Sequence, residues 1–386
     1  MNFDKITNYL DSLTDGGLPS FDCMISRDHE VLYRHMDGTS DHAHTVPIRA
    51  DQLYLMFSMT KIQTMTAFMQ LVESGKASLD DEVSKYLPAY KNLKLEDGSD
   101  VPSDRPLLAK HLLSMQSGID YDLERAGIKR VLAEKGMKAT TRQIVDAIPE
   151  TPLKFIPGTH FLYSLSHDVA AAVIEEISGM SFGEYLKKNI WDKLGMEHTF
   201  FAAPLNTELT YEGRKEKGLP YTLADQYVYQ EQTCKIVPME PSCNYQLSES
   251  YESGGAGLIS CTEDYAVLGD AISCGGTGKN GAKILEPETV EIIKQNLLGP
   301  DSLKDIENNM GRVGYGYGCG MQVLMDPAKL GSPAPPGVFG WDGAAGSCLI
   351  MDSISHTSLV FTMHVRGYGP AYGVIHPRLR DLLFED

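Results

Sequence analysis

The sequence Phe57-Ser58-Met59-Thr60-Lys61 places a hydroxyl and an amine three residues apart at the start of a strongly apolar segment. Residues three apart on a helix lie on one face, about 5–6 Å apart at Cβ, so the Lys61 amine can reach the Ser58 hydroxyl. A serine hydroxyl is a weak nucleophile at neutral pH, and a lysine can take its proton only if burial lowers the pKa of the amine. The pattern therefore predicts a nucleophile with its base.

The segment after Lys61 has the pattern of a buried helix. Its apolar side chains surround the helix axis until Gly75 ends the run: Ile62, Met65, Ala67, Phe68, Met69, Leu71 and Val72. From these residues alone, two interpretations of the pair remain open. Ser58 and Lys61 are a catalytic pair, or Ser58 only caps the helix and Lys61 is a solvated residue of its first turn.

Composition excludes several classes of protein. The chain has 386 residues, of which 42% are hydrophobic, enough for one large core or two coupled lobes. Its formal net charge of −18 argues against a nucleic-acid or anionic-membrane partner. Since no run of about 18 apolar residues occurs, no membrane span is expected. Residues 1–13 read as an amphipathic helix rather than a signal sequence, which favours a cytoplasmic location.

The cysteines and glycines give no sign of a metal or cofactor. Seven cysteines occur without any C-x-x-C pair, so neither a disulfide framework nor a zinc site is favoured. The run Gly254-Gly255-Ala256-Gly257 lacks the full phosphate-loop pattern and its lysine, which argues against nucleotide binding. We therefore expect a chain that works without a cofactor.

Secondary-structure patterns differ between the ends and the middle of the chain. Alternating strand-like segments occur near both termini, whereas residues between them favour helices. This order predicts an α+β fold, in which one antiparallel sheet is built from both termini and a mostly helical domain is inserted. We expect residues 1–85 and 300–386 to carry the sheet, and residues 86–299 to form the helical domain with an irregular excursion at 204–250.

Three stretches together resemble the serine β-lactamase and penicillin-binding-protein superfamily. The first, around Ser58 and Lys61, is similar to its S-x-x-K motif. Tyr163-Ser164-Leu165 occupies the place of the Y-x-N motif, and residues 190–196 (IWDKLGM) are similar to a signature of the class C-like branch. Residues 340–346 (GWDGAAG) resemble the third motif as it occurs in family VIII carboxylesterases.

The resemblance implies a class C β-lactamase-like fold and a role for each matching residue. Ser58 would be the acylated nucleophile and Lys61 would take its proton. The Tyr163 phenol would share that role and pass the proton to the leaving group. The oxyanion hole would consist of the backbone N–H groups of Ser58 and Ala344, with Gly343 allowing a close approach.

Two departures from the β-lactamase motifs bear on the substrate. Leu165 replaces the asparagine of Y-x-N, and Trp341 replaces the third-motif lysine or histidine that binds a substrate carboxylate. Apolar residues at these positions favour uncharged esters. Asp342 is unusual as well: it is either a solvated turn residue or a carboxylate near the cleft that would select against anionic substrates.

The sequence thus predicts a serine hydrolase that forms an acyl-enzyme and cleaves small uncharged carboxylic esters, with Leu165, Trp341, Asp342 and Gly343 near the substrate. A peptidase or amidase acting on D-amino-acid compounds and a weak β-lactamase are alternatives within the same enzyme class. A catalytically idle binding or assembly module is an alternative of another class. The sequence leaves the oligomeric state open.

Overall fold

The computed structural model describes residues 1–201, 223–240 and 242–385. Its helices are α1 Phe3–Asp15, α2 Thr60–Glu73, α3 Ala109–Leu113, α4 Ala126–Lys135, α5 Thr141–Ala147, α6 Ser166–Ser178, α7 Phe182–Leu186, α8 Asp192–Leu194, α9 Thr262–Ser273, α10 Pro287–Ile293, α11 Pro300–Met310 and α12 His376–Phe384. Its strands are β1 Ser20–Arg27, β2 Glu30–Gly38, β3 Leu53–Leu55, β4 Phe200–Phe201, β5 Gln226–Gln230, β6 Lys235–Met239, β7 Leu258–Cys261, β8 Tyr315–Tyr317, β9 Gln322–Leu324, β10 Phe339–Asp342, β11 Cys348–Asp352, β12 Thr357–Thr362 and β13 Val365–Arg366.

A seven-stranded antiparallel sheet has the order β2-β1-β12-β11-β10-β9-β8. Its strands come only from residues 20–38 and 315–362, so the expected sheet made from both ends of the chain is confirmed. Strand β12, which lies between β1 and β11, is buried along its whole length, which requires cover on both faces of the sheet. Helix α9 covers one face, and α1 and α12 cover the other.

Helix α2 lies inside the main core rather than on its surface. It packs against α6, and most of its side chains, polar ones included, are buried. The prediction of a buried helix after Ser58 is therefore confirmed. Such burial removes water from the first turn of the helix, where Lys61 lies, and this desolvation sets the chemistry of the amine.

The stretch expected to be an irregular excursion contains a hairpin. Strands β5 and β6 pair antiparallel within residues 226–239, and β13 adds to β5 in parallel. The expectation of irregular structure is wrong for these residues, because the apolar positions of two short strands give only a weak period. Residues 204–222 and 241 of the excursion lie outside the described residues.

Several smaller features differ from what the sequence patterns predict. Cys261 caps α9 at a position where serine, threonine, asparagine or aspartate is the usual residue, and its sulfur accepts the Asp264 N–H. Five helices, α4, α7, α8, α10 and α11, are not predicted by the sequence patterns. Within the described ranges, no helix has both the length and the apolar character needed to cross a bilayer.

Candidate active site

A sharp backbone turn presents Ser58 at the start of α2. Phe57 has φ of +46°, a left-handed conformation that costs a residue with a Cβ roughly 1–2 kcal/mol. The chain passes from β3 through a 3₁₀ turn at Phe57–Met59 directly into the helix. Because the surrounding core holds this turn, Ser58 stays half-exposed while Phe57, Met59 and Lys61 are buried. The turn therefore exposes one hydroxyl at the edge of a dry core.

Lys61 holds the amine that the sequence predicts beside this hydroxyl. Its Nζ lies 3.2 Å from Ser58 Oγ, and the side chain is fully buried. Burial lowers the pKa of Lys61 to about 7, although the charges of Asp168 and Asp342 oppose the shift. A large fraction of the lysine is therefore a neutral amine at physiological pH.

The hydrogen bonds of Lys61 fit a neutral amine that faces the nucleophile. Nζ donates to Gly255 O at 2.7 Å and lies 3.2 Å from the Tyr121 hydroxyl. A neutral amine has two hydrogens and one lone pair, so donation to these two oxygens leaves the lone pair for the Ser58 hydroxyl. The geometry can thus transfer a proton from Ser58 to Lys61.

The glycine run 254–257 explains how these groups fit together. A Cβ on Gly255 would lie 2.6 Å from a carboxylate oxygen of Asp168, 3.1 Å from the Tyr121 hydroxyl and 3.4 Å from Lys61 Nζ. Only glycine brings its carbonyl this close to the amine. The buried Asp168 carboxylate in turn accepts from Tyr251 and Ser253, at 2.8 and 2.6 Å.

Tyr163 lies beside the same nucleophile and is held by Trp341. The indole Nε1 of Trp341 donates to the Tyr163 hydroxyl at 3.0 Å, and the Tyr163 ring lies 4.6 Å from Lys61 Nζ. Burial raises the pKa of the Tyr163 phenol, and hydrogen bonds to Ser58 and Trp341 only partly offset this rise. Tyr163 is therefore a neutral phenol. Because its oxygen accepts from Trp341, its own proton can point to Ser58.

Trp341 does not offer open apolar surface to a substrate. It is only 2% exposed, with its ring packed edge-on against Tyr317 at 5.0 Å and tilted against Tyr163 at 5.5 Å. The Arg312 guanidinium lies 5.6 Å from the Trp341 ring centroid. Trp341 thus orients Tyr163, which differs from its expected place as a wall of the substrate pocket.

Asp342 is neither a solvated turn residue nor a carboxylate in the cleft. Its residue exposure is 7%, and its carboxylate pairs with Arg312, which is itself buried. Successive residues of a strand point to opposite faces, so the Asp342 and Trp341 side chains leave β10 in opposite directions. The expected contact of Asp342 with the substrate is therefore not present, because its carboxylate is held in the ion pair with Arg312.

Leu165 is also buried and does not face the site. It is 1% exposed, and it is the residue directly before α6, where its backbone N–H donates to Asp120 O at 3.3 Å. The side chain packs into the main core. Leu165 therefore fills space that the core needs, and it presents no surface to a bound ester.

The turn after β10 approaches the nucleophile closely. A Cβ on Gly343 would lie 2.3 Å from Met56 O, so only glycine allows this contact. Ala344 follows in the turn and packs against the cluster that contains Phe57. The two segments expected to supply oxyanion donors thus lie side by side.

Sequence reasoning missed two tyrosines of this site. Tyr121 approaches Lys61, and its ring packs on Tyr163 and Tyr245, with centroids 5.7 and 5.2 Å away. Tyr245 also packs edge-on against Phe57 at 6.2 Å. Both tyrosines come from non-helical connections, where no period in the sequence indicates the direction of a side chain.

Comparison with known families agrees with this arrangement. The model of the family described as Beta-lactamase matches residues 5–383, nearly the whole chain. The chain belongs to the β-lactamase family. A family match over this length, together with the assembled Ser58, Lys61 and Tyr163, makes the protein an enzyme of the serine-hydrolase type.

Individual relatives show how the chain is similar to known proteins. It is 27% identical to esterase EstB of Burkholderia gladioli over 380 residues, covering 94% of this chain and 89% of that protein. It is 28% identical to the acyltransferase calJ of Penicillium decumbens over 327 residues, covering 78% and 72%. The solved structure of EstCE1, described as a hydrolase with promiscuous acyltransferase activity, superposes with a TM-score of 0.78 at 23% identity, covering 99% and 98%. The fold is therefore that of this family.

Proposed function

We propose that the protein is a carboxylesterase that hydrolyses small esters through an acyl-enzyme on Ser58. The observation that carries this proposal is the buried Lys61 amine, 3.2 Å from the Ser58 hydroxyl, with a pKa of about 7. The similarity of the chain to EstB, which is named an esterase, and to calJ, which is named an acyltransferase, supports acyl transfer, because both names describe reactions of acyl groups. A cytoplasmic location is part of the proposal, and the free state of all seven cysteines supports it.

In the proposed acylation, Ser58 Oγ attacks the ester carbonyl while its proton moves to Lys61 Nζ. The N–H groups of Ser58 and Ala344 hold the negative charge that develops on the carbonyl oxygen. Tyr163, a neutral phenol next to Oγ, donates its proton to the leaving alkoxide as the tetrahedral intermediate collapses. Because the pKa of Tyr163 is raised and that of Lys61 is lowered, return of a proton from the Lys61 ammonium to the phenolate is downhill.

Deacylation repeats these proton transfers with water in place of the serine. Water attacks the acyl-enzyme carbonyl, the neutral Lys61 amine takes its proton, and Ser58 Oγ leaves as the serine is reprotonated. Each cycle thus consumes one ester and one water, and releases one acid and one alcohol. No metal or organic cofactor takes part in the proposed steps.

The hydrogen bond from Trp341 to Tyr163 predicts a graded mutational effect. Tyr163→Phe should lower kcat at least about 100-fold, as expected for a lost acid–base group. Trp341→Phe keeps most ring contacts and removes only the N–H, so kcat should fall about 3- to 10-fold, with KM little changed, for one hydrogen bond of ~1 kcal/mol. Steady-state kinetics and melting curves of both variants test this. Wild-type kcat in Trp341→Phe would remove Trp341 from the positioning of Tyr163.

Esters should be cleaved far faster than β-lactams. The carboxylate of a β-lactam is fixed beside the scissile amide, where the third motif offers only an indole N–H that already donates to Tyr163. A charge left poorly paired in such a site is costly. An activated ester also has a better leaving group, which demands less of Tyr163. We expect kcat/KM for p-nitrophenyl butyrate to exceed that for nitrocefin by at least ~100-fold, a ΔΔG‡ of about 2.7 kcal/mol.

The comparison with nitrocefin tests the proposed reaction class. The Ser58→Ala variant supplies the background rate for each substrate. A wild-type preference for nitrocefin, or for D-alanyl anilides in the same assay, would replace the esterase proposal with a β-lactamase or peptidase. Hydrolysis at the Ser58→Ala rate on every substrate would leave only a binding module.

A further inference from the structure

Arg366 approaches the candidate site from outside the three motifs. Arg366 ends β13, and the neighbouring Val365 N–H donates to Ala345 O at 3.0 Å. This bond ties the strand to the turn that contains Ala344. The guanidinium carbon of Arg366 lies 5.4 Å from the centroid of the Phe57 ring. Arg366 is thus positioned against the residue that directly precedes the nucleophile.

Arg366 has no counter-ion in the part of the chain that the structure describes. It is half-buried there, yet it takes part in no ion pair and no side-chain hydrogen bond. Other buried or partly buried arginines form ion pairs: Arg34 with Asp22, Arg125 with Asp120 and Arg312 with Asp342. The Phe57 ring replaces only part of the hydration that burial removes. The planar N–H fork of Arg366 therefore remains able to bind an anion.

The aromatic residues around Arg366 connect it to the nucleophile. Burial raises the pKa of the Tyr245 phenol, and the positive charge of Arg366 opposes that rise, which places the charge near this ring. Tyr245 contacts both Phe57 and Tyr121. The Tyr372 hydroxyl donates to Gly343 O at 3.0 Å, and the Arg366 charge also acts on this phenol. Arg366 thus lies near Tyr245 and near the turn after β10.

We propose that Arg366 binds a carboxylate of the substrate, so that the preferred esters carry an anionic group several bonds from the scissile carbonyl. This inference rests on the esterase proposed above and specifies its substrate class. The sequence-based preference for uncharged esters depended on Trp341 and Leu165, both of which are buried. The net charge of −18 repels anions in general, and that repulsion is screened beyond about 8–10 Å. A preference for anionic esters therefore requires a cation beside the site.

Matched pairs of esters test the proposal. Mono-p-nitrophenyl glutarate and p-nitrophenyl valerate differ by a carboxylate on the acyl part, and 4-acetoxybenzoate and phenyl acetate differ by one on the alcohol part. We would measure kcat/KM of each for the wild type, Arg366→Gln, Arg366→Lys and Arg105→Gln. Arg105 is an exposed arginine in the connection before α3, so its replacement changes the net charge by the same amount.

Arg366→Gln should lower kcat/KM for at least one anionic ester by about 10-fold or more, chiefly through KM, because a charge-assisted contact is lost. The matched neutral ester should change less than about 2-fold, Arg366→Lys should retain part of the preference, and Arg105→Gln should retain all of it. The pair that responds shows which part of the ester carries the carboxylate. In the wild type, 0.5 M NaCl should lower kcat/KM for the anionic ester more than kcat/KM for the matched neutral ester.

For each pair of esters, kcat/KM for the anionic ester can be divided by kcat/KM for the neutral ester. If this ratio were the same in the wild type and in Arg366→Gln for both pairs, the role of Arg366 would be overturned while the esterase proposal stayed intact. The salt measurement needs no variant, so the proposal stays testable even if Arg366→Gln folds poorly. Failure of the wild type to hydrolyse any of the four esters above the Ser58→Ala rate would instead overturn the proposed function itself.

Discussion

Replacing Ser58 with alanine should lower ester hydrolysis by at least ~10⁴-fold, because the covalent route is lost and only binding and oxyanion stabilisation remain. The fold should persist, since the half-exposed hydroxyl loses only its contacts with Lys61 and Tyr163. Steady-state kinetics with p-nitrophenyl butyrate, together with a melting curve, measure both effects.

Ser74→Ala is a matched control for this substitution. Ser74 caps the C-terminal end of α2, so the same hydroxyl group is removed at the opposite end of the helix, away from the site. This control should keep wild-type kcat. If Ser58→Ala retained more than about 1% of the wild-type kcat, another residue would have to be the nucleophile.

Replacing Lys61 should produce the second largest loss. Lys61→Ala removes the general base, and kcat/KM should fall by about 10²- to 10⁴-fold. Lys61→Arg separates basicity from charge, because arginine keeps the positive charge and never becomes a neutral base in this pH range. Both variants should be similarly impaired. Activity retained in Lys61→Arg would show that Lys61 acts through its charge and not as a base.

The pH profile tests the same assignment without a mutation. The pKa of Lys61 is lowered to about 7 by burial, so below pH 7 the amine becomes an ammonium and cannot accept the Ser58 proton. The wild-type kcat/KM should fall tenfold per unit at lower pH and approach a plateau above pH 7. In Lys61→Ala, kcat/KM should no longer show this fall at lower pH. A wild-type rate that stayed constant from pH 5 to 8 would exclude a base with this pKa.

The sequence predicts the Ser58–Lys61 pair because helix geometry alone sets its spacing. The other partners of Lys61 depend on tertiary packing. Tyr121 and Gly255 lie 60 and 194 residues away along the chain, in connections without a period. The glycine run could be recognised, but its use as a close neighbour of Lys61 becomes visible only when α2 and α6 are packed together.

The third motif shows a different limit of sequence reasoning. The residues around Trp341 could be recognised, but the strand Phe339–Asp342 was not predicted, and the alternation of its side chains was therefore lost. The partner of Asp342 is Arg312, which lies in the connection after α11. Without that ion pair in view, Asp342 could only be placed in solvent or in the cleft.

The overall sheet was more accessible to prediction than the helices between its two parts. Strands with alternating apolar residues at both ends of the chain, such as β1 and β12, define one sheet once helices occupy the middle. Helices such as α11 were missed because they are largely polar and bury few residues, so their apolar period is weak. The division at residues 85 and 300 stays a prediction, and α9, which lies within residues 86–299, packs against this sheet.

Covalent trapping of Ser58 is the most direct test of the mechanism. The protein is treated with a fluorophosphonate, its intact mass is measured, and the modified peptide is mapped after trypsin digestion. The account predicts a single adduct on Ser58 within residues 50–61, formed faster as the pH rises through 7 and absent from Ser58→Ala. An adduct of the same yield in Ser58→Ala, or on a peptide without Ser58, would contradict it.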